Sequence, residues 1–267
     1  MDPPAITPMP PVAVTTGLPW DVPMVDPVAA IAEARRALGD TFVVDSGDDR
    51  FLFTFSPAGV TAFYALPEER ASKGMADWRM LRRKLPDEIF VGRRTLPHQL
   101  FGRDHVTAYL ANVNRALAST IDELGTVGEL DVFAFTRRLG HRVGLASWGG
   151  PGSAIGKRFN RLAEAFDALD GAESFLHPEA MSAVAAAGKT IERQALAVIT
   201  EELGEALDEL PGVEDDHPLF ARVAAAWSDQ DAEARATGVA FDVALIHVAS
   251  MSNLYAALGW SLVDLMA

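Results

Sequence analysis

Residues able to do chemistry are sparse in this chain, and the tightest group lies inside its most apolar stretch. Between Val243 and Val263 no residue carries a formal charge, yet His247, Ser250, Ser252 and Asn253 fall at the centre. A hydroxyl can hold a water and an amide can orient one. At helical spacing Leu245, Ala249, Ser252, Asn253, Ala256 and Trp260 share one face, small and polar in the middle, larger and apolar at its ends. That face predicts a large body lying against it. The plainer alternative is a core helix with a few satisfied polar groups.

The other candidates are weaker. Gly150-x-Gly152-x-x-x-Gly156 has the look of a dinucleotide loop, but a helical segment precedes it where the fingerprint needs a strand, so it reads as a helix–helix connection. The six histidines, at 98, 105, 141, 177, 217 and 247, lack metal-ligand spacing, and no metal site is expected from this chain alone. No serine stands in a nucleophile elbow. Glu201-Glu202 and Asp215-Asp216 read as solvated pairs. Cysteine is absent, which removes disulfides, thiol catalysis and any thiolate ligand from these residues.

Composition narrows the classes further. A chain of 267 residues, 49% apolar, can bury a large core. A net charge of −14 argues against nucleic-acid binding by bulk electrostatics. The final stretch, Val239 to Ala267, exceeds the roughly 20 apolar residues that cross a bilayer. Its polar centre would be penalised there, and Asp242 and Asp264 flank it where Lys or Arg would anchor a span. It reads as the buried central helix of a cytoplasmic protein, with no membrane span. The N-terminus shows Asp2 and prolines where a signal peptide would be basic and then apolar.

The elements that must position these residues are mostly helical. Residues 1–26 form a proline-rich leader, extended or partly disordered, ahead of one body over 27–267. Asp26-Pro27 starts a helix that stops at Gly39. Asp40 to Phe55 is a β-hairpin around Ser46-Gly47-Asp48-Asp49, and Ser56-Pro57 caps the next helix. Gly74 to Pro86 is a local basic patch, read as a solvated face. From His105 onward helices dominate: 105–125, 131–150, 154–171, one long run over 178–210, another over 217–235, and the terminal helix from Val239. The fold class is mainly α with a small N-terminal β-hairpin.

This succession resembles the cytochrome P-450 family. GLPWDVPMVDPVAAIAEARRALGDTFVV is similar to that family's lead into its first sheet. LPHQLFGRDHVTAYLANVNRALASTIDELGTVGELDVFAFTRRLGHRVGLASWGG resembles its C, D and E helices, above all in sterol 14α-demethylase relatives. The terminal helix resembles the long I helix that crosses the distal face of the haem, with Ala249-Ser250-Met251-Ser252-Asn253-Leu254 in place of A/G-G-x-D/E-T-T. The resemblance covers nearly the whole chain and rests on the order of segments, since no single motif is strict.

It implies an incomplete cytochrome P-450-like fold. The glutamate–arginine pair and the cysteine loop of the haem-ligating half are missing, so the thiolate would come from a second polypeptide. The acid–threonine pair appears as Ser252-Asn253, implied to be catalytic; asparagine there is similar to prostacyclin and allene oxide synthases, and also occurs in bile-acid sterol hydroxylases. Arg94 and His98 are the implied propionate contacts, and Ala249 and Ser250 would flank the iron. Trp78, Met80, Leu81, Phe175 and Leu176 would line a lipophilic substrate's site. Two readings follow: the distal half of a split haem-thiolate oxidoreductase, served by a redox partner, or a haem-free activator of an enzyme such as a glycosyltransferase. A degenerate fragment or an unrelated helical binding protein would void these assignments.

Overall fold

A computed structural model describes residues 9–13, 17–19, 21–67, 69–70, 72–95, 100, 102–171 and 177–266. The chain divides into two compact units, residues 1–84 with 172–189, and residues 85–171 with 190–267.

The first unit is built on a hairpin. Strands β2 (Thr41–Ser46) and β3 (Asp49–Thr54) pair antiparallel, Ser46 opposite Asp49, across a two-residue turn. Gly47 (φ 57°) takes the first central position, in the left-handed backbone that primed hairpin turns require. Helix α1 (Pro27–Leu38) precedes the hairpin: the Asp26 carboxylate accepts from Ala29 N at 2.8 Å, Pro27 opens the helix, and Gly39 closes it. Ile31, Ala34 and Leu38 pack on Phe42, Val44, Phe51 and Phe53 to make this unit's core.

The leader contributes more than an extended cover. Val12–Ala13 forms strand β1, parallel to β2 through the register Val12–Val43 and Ala13–Val44. The sheet therefore has three strands in the order β1-β2-β3. Local sequence hides this, because a two-residue strand draws its hydrogen bonds from a partner thirty residues downstream rather than from its own pattern.

Helices α2 (Pro57–Ala65) and α3 (Lys73–Lys84) follow. The basic patch is α3, and part of it is paired. Arg79 binds Asp49 at 2.9 Å, and Arg83 reaches Asp21 at 2.6 Å and Asp49 at 3.3 Å. Helix α7 (Pro178–Ala186) packs on α3 in the same unit. It ends where Gly188 and Lys189 both adopt positive φ, and the Lys189 ammonium donates to the Arg82 carbonyl at 2.8 Å. The run expected over 178–210 is thus two helices.

The second unit is a helical bundle of α4 (Val106–Leu124), α5 (Val132–Trp148), α6 (Gly156–Leu169), α8 (Thr190–Asp208), α9 (Pro218–Ala226) and α10 (Ala232–Met266). Helix α10 lies against α5 and α8, while α6 packs on α8 and α4 on α5. Phe159, Leu162, Phe166, Ile199, Leu203, Phe220, Val239, Val243 and Ile246 are buried at its centre. Helix α10 begins at Ala232, upstream of the expected Val239, because Asp231 caps it: its carboxylate accepts from Ala234 N at 2.9 Å. The segment 217–235 consequently splits between α9 and α10. Helix α10 is also the one helix among the described residues long and apolar enough to cross a bilayer. The described residues are mainly helical, with a small sheet near the N-terminus.

Candidate functional site

Three groups of polar residues meet on α10, on different sides. The first is the face singled out by sequence. From Val239 to Val248 the helix is buried in protein, apart from the half-buried Phe241. From Ala249 onward one side opens: Ala249, Asn253, Ala256, Ala257 and Trp260 are exposed, while Met251 and Gly259 on the other side remain buried. Trp260 is 62% exposed although its ring edge touches Phe133. The Ser250 hydroxyl donates back to the Ile246 carbonyl at 2.6 Å, which occupies its proton within the helix. Nothing is described of the Ser252 side chain; His98, Phe175 and Leu176 lie outside the described residues.

The second group surrounds Asp242, which is fully buried. Its carboxylate accepts from Thr95 Oγ1 at 2.7 Å, Trp227 Nε1 at 2.9 Å, and Arg94 N and Arg93 Nε at 3.4 Å each. Donors on this scale compensate a buried charge that would otherwise cost several kcal/mol. Arg94, the implied propionate contact, has other duties: its guanidinium pairs with Asp229, donates to the Ala226 carbonyl at 3.2 Å and lies over the Trp227 ring at 4.7 Å. Serving a propionate would require it to exchange those partners.

The third group was not foreseen. His141 on α5 and His247 on α10 are both buried, with Nδ1 of the first 2.9 Å from Nε2 of the second. His141 Nε2 lies 2.9 Å from Asp167 Oδ1 on α6, and Arg137 pairs with the same carboxylate. A carboxylate only accepts, so His141 donates through Nε2, while which of His141 Nδ1 and His247 Nε2 donates to the other follows the tautomer. His247 Nδ1 is buried and has no hydrogen-bond partner among the described residues. Burial, reinforced by the neighbouring His141, holds the His247 pKa well below the ordinary imidazole value. Burial raises the Asp167 pKa, but hydrogen bonds from His141 and Arg137 outweigh it and leave the carboxyl below its usual range. The array is an Asp–His–His chain from a half-exposed carboxylate into the bundle.

Glycine makes this close approach possible. A Cβ on Gly144 would stand 2.6 Å from His247 Nδ1, and one on Gly140 would stand 3.2 Å from Tyr255 Cβ. The spacing Gly140-x-x-x-Gly144 was the available signal, since two glycines four apart clear one helix face for a neighbour. Composition alone cannot say which residue enters. His247 and Ala249 project from opposite sides of α10, as their burial shows, so the histidine chain does not reach the exposed face.

Three of the predicted substrate residues belong to the first unit. Trp78, Met80 and Leu81 lie on α3 of the first unit, where the Arg82 guanidinium sits over the Trp78 ring at 4.9 Å. The α10 residues belong to the second unit. Among the described residues, no group of three or more His, Cys, Asp or Glu side chains is arranged to hold a metal ion. Compared with known proteins, the chain matches no family model and no curated sequence.

Proposed function

We propose that this chain forms the distal side of a cytoplasmic haem-thiolate oxidoreductase of the cytochrome P-450 type, acting on a lipophilic small molecule and completed by a partner polypeptide that brings the cysteine. The observation that supports it is the change along α10, from a half sealed in protein to a half whose Ala249, Asn253, Ala256 and Trp260 side is exposed. Small residues in the middle of an exposed apolar strip suit a flat, rigid body. Large apolar groups left open, among them Ile121, Leu130, Phe133 and Leu265, suit a covering partner.

The residues fit the group in part. Ala249 presents no side chain that would obstruct a planar ring, and Asn253 is free of the helix core. Arg94 does not offer a ready anchor. Haem, when bound, would supply the iron at which oxygen or a peroxide is activated, its thiolate coming from outside these residues. The Asn253 amide would orient water or a substrate oxygen, and it cannot give up a proton readily. Ser250, its proton turned inward, keeps only acceptor capacity toward that face.

The engagement of Arg94 with Asp229 and Trp227 favours a second reading, the haem-free activator that docks the same face on a partner enzyme. Both readings require the α10 strip. Ala256→Arg places a charge on it at a site exposed enough to spare the fold, so its unfolding free energy should stay within about 0.5 kcal/mol of the parent's. Loss of the companion protein on purification is the expected result. A companion retained at full stoichiometry would contradict the assignment of this face.

A further inference from the structure

A cavity of the second unit lies at the other end of α10, away from the exposed strip. Its volume is about 630 Å³, and it is lined by Glu88, Val91, Trp227, Asp231, Glu233, Ala234, Thr237, Gly238, Phe241 and Asp242. That volume falls within the range of pockets that take small organic molecules, roughly 300–1,000 Å³. Val91, Ala234 and Phe241 give it apolar wall, and its charged lining residues are all carboxylates.

The walls are held in place. Trp227 is fixed by its hydrogen bond to buried Asp242, with Arg94 over its ring and Gly238 against it; a Cβ on Gly238 would collide with the indole. Glu88 is paired with Arg193 at 2.9 Å, and Asp242 has its donors. The lining carboxylates without a cationic partner among the described residues are therefore Asp231 and Glu233. Glu233 stands exposed in the first turn of α10 with no partner among the described residues. The N-terminal end of α10 opposes these carboxylates with about half a unit of positive charge. Its amides at Ala234 and Arg235 are already bound to Asp231. The balance is negative.

We propose that this cavity is a binding site for a small organic cation, an amine carried on an apolar or aromatic body. The ammonium would sit at the Asp231–Glu233 mouth, and the apolar part would enter between Phe241, Ala234 and Val91. An anion of the same shape meets the same walls and an unfavourable field. Nothing in this assignment depends on haem or on the exposed strip.

The test compares 2-phenylethylamine, 2-phenylethanol and phenylacetate by calorimetric titration into the purified chain. The amine should bind saturably and about tenfold more tightly than either analogue, weakening as salt is raised. Glu233→Gln should cost the amine about threefold in affinity, the scale of one exposed charge contact. Ala234→Trp, which fills the cavity from its half-buried wall, should abolish binding; circular dichroism melts on both variants establish that they are folded. Equal affinity for the three compounds, no saturable binding of the amine at millimolar concentration, or amine binding that survives in folded Ala234→Trp would overturn the proposal.

Discussion

His247 is the residue whose environment carries the sharpest consequence. It is buried, faces His141, Asp167 beyond it, Phe166 and the backbone at Gly144, and is held neutral. Its folded pKa lies below the unfolded value of about 6.5. Above that value both states are neutral and the group contributes no pH dependence. As pH falls below it, the unfolded chain takes up a proton that the folded chain refuses, and stability declines by at most about 1.4 kcal/mol per pH unit for one such group. His217, also lowered by burial and by Arg115, acts in the same direction. Thermal melts between pH 7 and 5 should show a falling midpoint, and His247→Gln should flatten the fall while His217 keeps part of it. An unchanged slope in that variant would mean His247 is not held neutral. Gly144→Ala drives a methyl into the same ring and should cost about 1–3 kcal/mol, the range for overpacking a core. Gly204→Ala on α8, whose Cβ would meet Ala236 at an ordinary 3.8 Å, should instead stabilise by about 1 kcal/mol through helix propensity. Opposite signs from one substitution type separate close approach from propensity.

At the scale of elements, caps and contact faces decide what sequence could reveal. The hairpin over 41–54 and helix α1 were legible because Gly47, Asp26-Pro27 and Gly39 are local signals with local causes. The break after α7 was not, because Lys189 has no helix-breaking chemistry and takes its positive φ beside Gly188, with its ammonium on the Arg82 carbonyl. The start of α10 was placed too late because its apolar run begins downstream of the residue that caps it. Asp231→Ala removes that cap and should cost about 1 kcal/mol, read by chemical denaturation. Convergence of His141, Asp167 and His247 from three helices was invisible, since nothing in their spacing binds positions 26 and 106 residues apart. Helical spacing put Leu245, Ala249, Ser252, Asn253, Ala256 and Trp260 on one side of a helix read as buried; Leu245 is buried, whereas Ala249, Asn253, Ala256 and Trp260 are exposed, because the elements that cover the first half of α10 do not extend over that side. Arg94 was sought as an anchor from its place in the chain; its partners Asp229 and Trp227 arise only when α9 and the start of α10 fold against it.

For the whole molecule, we propose that the α10 strip covers a haem whose thiolate comes from another polypeptide. If so, Asn253→Thr should change product ratios or the coupling of oxygen consumption to product; identical turnover and product would count against a distal role for that amide. The most direct measurement is an absorption spectrum of this chain, purified from its host with whatever accompanies it. A strong Soret band is expected, shifted in the reduced carbon monoxide complex to the long-wavelength position that thiolate ligation produces. A preparation free of haem that holds a stoichiometric companion would contradict the oxidoreductase reading and leave the activator, and one free of both haem and companion would contradict both.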